Sequence, residues 1–87
     1  MTGVTGDCLA VFETTHETLR AEDFFRAQQI TFRPVLKPRG IGAACRMALR
    51  FPREELEKAK KAVAEGSLAL SAFYSHEGEA WVIIQLL

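Results

Sequence analysis

The run Cys8-Leu9-Ala10-Val11-Phe12-Glu13 constrains this chain most, because apolar residues fill both parities of a strand-length segment. A strand with one wet face alternates, whereas one that is apolar on both sides belongs in the middle of a covered sheet. Thr14 follows at once and Glu17 lies three residues on, the capping-box spacing that satisfies orphan N–H groups where a helix starts. A central strand is thus expected to lead directly into a helix that runs to about Gln28. Thr18, Ala21, Phe24, Phe25 and Gln28 trace its inner stripe, with Arg20, Glu22, Asp23 and Arg26 outside. Phe24 and Phe25 are its anchors.

The rest of the chain supplies the neighbours that a central strand needs. Ile30-Thr31-Phe32-Arg33 alternates apolar and polar, and Pro34 and Pro38 mark it as an edge strand. Met47, Leu49 and Phe51 share one face of the next strand, with Arg50 on the other. Pro52 suits the first turn of a second helix, with Glu54 and Glu55 at the positive end of its dipole. Leu56, Ala59, Ala62 and Val63 form its buried stripe, Glu54–Lys58 and Glu57–Lys61 have ion-pair spacing, and Gly66 supplies the stop. Residues 68–74 and 80–87 flank a polar stretch containing Gly78, which is a hairpin signal.

Strand, helix, strand, strand, helix, strand is the split βαβ order of a ferredoxin-like sandwich. The fold expected is therefore α+β, βαββαβ, with an antiparallel sheet, two helices on one face and an extra C-terminal strand. The 87 residues suffice for one domain, over 8–87, after a leader over 1–7. In the last strand Trp81, Ile83 and Leu87 lie on one face, and Val82, Ile84 and Leu86 on the other. A single helical layer cannot cover both faces of the sheet. Self-association as a homodimer, or a partner, is expected across the open face.

Formal net charge is zero, but acids dominate residues 1–23, and residues 24–53 hold seven Lys and Arg with no acid. The start of the chain lacks the pattern of a signal peptide, and no apolar run approaches membrane-span length, so the cytoplasm is expected. In a reducing compartment Cys8 and Cys45 are expected as thiols rather than a disulfide, with pairing left open should the fold bring them together. The basic block suits an anion or an acidic partner. Nucleic acid is disfavoured because the strands there lack paired aromatics for stacking.

Within that block lies Pro38-Arg39-Gly40-Ile41-Gly42-Ala43-Ala44-Cys45-Arg46, the loop between the second and third strands. A thiol reacts as thiolate, which nearby Arg stabilises, and Arg39 and Arg46 are placed to do so. Gly40, Gly42 and the alanines let a partner come close. This pattern suits an accessible Cys45; the alternative is a small apolar residue buried at the start of the next strand. Cys8 reads as buried and inert, with a role as resolving thiol left open.

His16 and His76 have no clustered ligands, so no metal is expected, and no phosphate-binding glycine loop points to a cofactor. Pairing His16 with Cys45 requires the helix start to meet the loop, which the connectivity does not demand. Glu17 already has a use as a cap, and no self-contained enzyme emerges.

Val11-Phe12-Glu13-Thr14-Thr15-His16-Glu17, Leu19-Arg20-Ala21-Glu22, Pro38-Arg39 with Ile41, Cys45, and Ala48-Leu49-Arg50-Phe51-Pro52 together resemble a family of selenium/sulfur carrier-like proteins. These are small bacterial proteins, also found joined to sulfur-relay domains. The resemblance implies that Cys45 holds sulfur or selenium for transfer to a protein partner; from the loop itself, Arg39, Gly40, Gly42 and Arg46 are the expected substrate- or partner-binding residues. The family pattern has Cys-Gly where this chain has Cys45-Arg46. An arginine there either crowds the thiol or adds charge that favours its ionisation. The other reading is a non-catalytic regulatory or interaction module that dimerises through its sheet face.

Overall fold

The computed structural model describes residues 7–38, 40–42, 45–78 and 80–86, with the side chains of 85 and 86 excepted. It comprises β1 (Asp7–Phe12), α1 (Thr15–Ala27), β2 (Arg33–Leu36), β3 (Met47–Pro52), α2 (Leu56–Gly66), β4 (Leu70–Glu77) and β5 (Ala80–Leu86), with a 3-10 turn over Arg53–Glu55 before α2. The strands form one antiparallel sheet in the order β2-β3-β1-β4-β5. The first four have the ferredoxin-like arrangement, and β5 extends it beyond β4. No described helix is long and apolar enough to cross a membrane.

β1 is central, as its two apolar faces require, and its residues divide between two cores. Cys8, Ala10 and Phe12 face the helices, where they meet Phe25, Leu49, Phe51 and Phe73. Phe32, Phe25, Phe51 and Phe73 follow one another edge to face, with ring centroids 5.6, 5.9 and 6.0 Å apart. Each fully buried ring of this kind contributes about 2–3 kcal/mol relative to exposure. Leu9 and Val11 point to the opposite face and join Ala48, Ala72, Tyr74 and Ile41.

The helices follow the expected pattern with three local differences. Thr14 caps α1 by accepting the Glu17 N–H at 3.1 Å. Glu17 does not complete the box; its carboxylate accepts from Arg20 at 2.9 Å and from the Ala69 N–H at 2.8 Å. Arg20 in turn donates to the Gly66 carbonyl at 2.9 Å, which fastens the start of α1 to the end of α2. Gly66 is not the stop. It is the last residue of α2, and Ser67 takes the left-handed turn with φ 48°. A Cβ on Gly66 would lie 2.9 Å from the Phe24 ring, so the missing side chain is what lets the helices approach. On the surface of α2, Lys60 rather than Lys61 reaches Glu57, at 3.6 Å.

The edge strand lies later than expected. Ile30 and Phe32 belong to the turn after α1, where the Ile30 N–H bonds the Phe25 carbonyl at 3.0 Å and Ile30 is buried. β2 itself carries Pro34, which an edge strand tolerates. Asp7, assigned above to the leader, starts β1 and pairs with Arg50 at 2.6 Å.

The face away from the helices is less open than expected. The Ile41 N–H closes on the Pro38 carbonyl at 3.4 Å, with Gly40 at φ 89° in the turn between them. That left-handed position favours glycine, and the turn sets Ile41 on the open face. Tyr74 and Trp81 cover more of it. Among the described residues the exposed large apolar side chains are Leu19, Leu36 and, on β5, Val82, Ile83 and Ile84.

Candidate functional site around Cys45

Topology brings several chain ends to one end of the sheet. β1 runs toward it, so α1 starts there. β2 is parallel to β1 within the sheet, so the β2–β3 loop turns there as well. Cys45, two residues before β3, therefore meets the first turn of α1.

Cys45 Sγ lies 3.2 Å from Thr18 Oγ1 and 3.7 Å from Thr15 Oγ1. The Met47 N–H also donates to the sulfur at 3.4 Å, and the thiol can donate to the Met47 carbonyl at the same distance. The Lys37 N–H closes the base of the loop on the Arg46 carbonyl at 2.7 Å. Burial by itself pushes the Cys45 thiol up. Hydrogen bonds from Thr18, the Met47 backbone and Thr15, with the Lys37 charge added, outweigh it and hold the thiol below its ordinary value. The positive end of the α1 dipole favours the anion further.

The Thr18 hydroxyl has one proton and two acceptors in reach, Cys45 Sγ and the Thr14 carbonyl at 3.1 Å. That carbonyl also receives the Thr18 N–H at 3.1 Å. The hydroxyl is free to turn to a thiolate without leaving that carbonyl unpaired.

Cys45 is not the accessible loop thiol expected from the small residues around it. It is 2 % exposed, because Thr15 and Thr18 of α1 close over it. Arg46 is exposed, and among the described residues the Lys37 charge acts on the sulfur. Gly40 and Gly42 are exposed and face open space. Arg39, Ala43 and Ala44 lie outside the described residues. The loop and the helix start do meet, through Thr15 and Thr18, while His16 is exposed.

Cys8 lies at the other end of β1, and both cysteines are buried free thiols. Burial raises the Cys8 thiol, and Arg53 offsets this only in part. Arg53 also reaches Ser75 and Glu77, so the polar groups near Cys8 are engaged with one another. Among the described residues no group of three or more His, Cys, Asp or Glu is arranged to hold a metal ion.

A family model described as "Putative Se/S carrier protein-like" matches residues 7–75, from β1 into β4. No curated protein and no solved structure matches the chain. The matched span contains Cys45, Thr15, Thr18 and Met47. It ends before β5.

Proposed function

We infer that this chain, which belongs to the Se/S carrier protein-like family, carries a sulfur or selenium atom on Cys45 for delivery to a protein partner. The observation that supports this is the set of donors gathered on one sulfur at the start of α1. They favour the thiolate even though the residue is buried.

Loading is written as transfer of a sulfane sulfur. The Cys45 thiolate attacks the terminal sulfur of a donor persulfide; a new S–S bond forms at Sγ, the donor's S–S bond breaks, and the donor leaves as thiolate. No external oxidant or reductant enters. Delivery is the reverse displacement: an acceptor thiolate takes the outer sulfur and Cys45 leaves as thiolate. A leaving thiol with a lowered pKa departs faster, so the donors that favour ionisation also favour release. Selenium follows the same displacement.

Attack on a sulfur this deeply buried requires the loop to lift from α1. Gly40 and Gly42, which meet open space, suit such a movement. The test is the pH dependence of Cys45 alkylation in a Cys8→Ser chain, read by intact mass, with a small persulfide donor in parallel. The reading expects alkylation with a midpoint below that of a free thiol, and one added sulfur that Cys45→Ser abolishes. A native chain that neither alkylates at Cys45 nor gains sulfur would overturn it.

A further inference from the structure

The two edges of the sheet are unlike. β2 at one edge carries Pro34, which offers no N–H for pairing, and has Arg33 within it and Lys37 beside it. Proline and charge are the usual means by which an edge is kept from pairing with another chain. β5 at the other edge reads Ala80-Trp81-Val82-Ile83-Ile84-Gln85-Leu86, with neither a charge nor a proline. Val82, Ile83 and Ile84 are 45, 48 and 39 % exposed.

Both faces of β5 contribute to this exposure. Val82 is opposite Ser75, whose neighbour across β1 is Cys8, so it lies on the helical side. Ile83 is opposite Tyr74, on the other side. Neither α1 nor α2 covers the strand among the closer contacts between elements, which for β5 are with β4. The exposed apolar area is thus a strand edge with its two flanks, rather than the broad sheet face that Ile41 covers.

We propose that β5 pairs antiparallel with β5 of a second copy about a two-fold axis at Val82, which joins two five-stranded sheets into one. The register follows from the strand. Tyr74 faces Ile83 and Phe73 faces Gln85, so β5 has an extra residue at Ile84, a bulge that breaks regular pairing beyond it. The regular stretch runs from Ala80 to Ile83, so an axis that sets like faces together falls on Trp81 or Val82; Trp81 is stacked on His76, whereas Val82 is 45 % exposed and open to a partner. With the axis there, Val82 meets Val82 of the second copy on the helical side, and Trp81 meets the second copy's Ile83 on the other. Directly opposed residues then share a face, as antiparallel pairing demands.

The uncharged strand selects a second copy as occupant, because a two-fold contact sets each residue against the same segment. Like charges directly opposite would oppose pairing, and Ala80–Leu86 has none. A β-branched residue at the axis also gives a favourable cross-strand pair. β5 lies beyond the span of 7–75 that the family model matches.

Sedimentation equilibrium of the full chain at about 100 μM tests this, a concentration at which micromolar self-affinity leaves the chain dimeric. A dimer is expected. Val82→Lys, which sets two lysines against each other, should weaken it on the order of 100-fold, as should Val82→Glu alone. Mixing these two variants should restore a dimer, because lysine then meets glutamate. Ile83→Thr, which keeps strand propensity, should weaken it more mildly, and Leu36→Lys on the opposite edge should leave it intact. A monomeric wild-type chain would overturn the proposal, and so would a dimer that survives Val82→Lys. Neither result bears on Cys45 chemistry.

Discussion

Replacing Thr18 by Val tests the site at one atom. Valine keeps the branched shape of a fully buried side chain and removes only Oγ1, which lies 3.2 Å from Cys45 Sγ. A hydrogen bond to a charged group contributes about 1.5–3 kcal/mol, and sulfur is a weak acceptor, so the lower end applies. About 1.5 kcal/mol corresponds to roughly a tenfold smaller thiolate population below the midpoint. The assay follows the rate of Cys45 alkylation against pH in a Cys8→Ser background. At neutral pH the rate should fall roughly tenfold, in proportion to the thiolate lost. At high pH, where the thiol is fully ionised in both chains, the rates should converge. Folding stability should change by less than about 1 kcal/mol, because the Thr14 carbonyl keeps its bond from the Thr18 N–H. An unmoved pH profile would refute the idea that this hydroxyl holds the thiolate. A rate lowered equally at every pH would instead assign Thr18 to the opening of the loop.

Gly66→Val should destabilise the fold by roughly 1–2 kcal/mol in urea titration, because the Phe24 ring already lies within 2.9 Å of the added Cβ; Phe24→Leu in the same chain should recover part of the loss. Glu17 is held below the usual carboxylate range first by the Ala69 N–H and then by Arg20. Its folded value is depressed, so its stabilisation is present above the unfolded carboxyl's pKa and is lost as pH falls through the folded value. Glu17→Gln should therefore flatten the acid limb of a stability–pH curve. The two thiols should act in opposite senses in urea titrations between about pH 7 and pH 10. Cys8 has a raised folded value, so its contribution is present below the unfolded thiol's pKa and is lost as pH rises through the folded one; Cys8→Ser should remove that alkaline loss. Cys45 has a lowered value, so its contribution is present above the unfolded pKa and is lost as pH falls through the folded one; Cys45→Ser should remove an alkaline gain.

Periodicity was enough for the layers but not for the edges. β1 was legible as central because no alternative leaves Leu9 and Val11 dry while Cys8, Ala10 and Phe12 face the helices. The position of β2 was not, since Ile30 and Phe32 are apolar for a different reason: they plug the turn beneath α1. Gly66 was misread because a glycine at a helix end has two uses, a left-handed turn or a close approach. Only the position of Phe24 decides between them. The bulge at Ile84 likewise leaves no mark in a run of apolar residues, because every member fits either face.

The site was half legible, and the missing half was available in principle from topology rather than from motif. Small residues and arginines drew attention to Cys45, but side-chain bulk within a loop says nothing about what covers it. In an antiparallel sheet with β1 and β2 parallel, the start of α1 and the β2–β3 loop must lie at the same end. That rule places Cys45 against the first turn of α1, where residues three apart share a face, and Thr15 and Thr18 are so spaced. Thr18 carried a second signal, a hydroxyl on an inner stripe that must find a partner. Read together, the shared end, the three-residue spacing and the buried hydroxyl point from α1 to Cys45, and to two threonines at a helix terminus as groups that act on its charge.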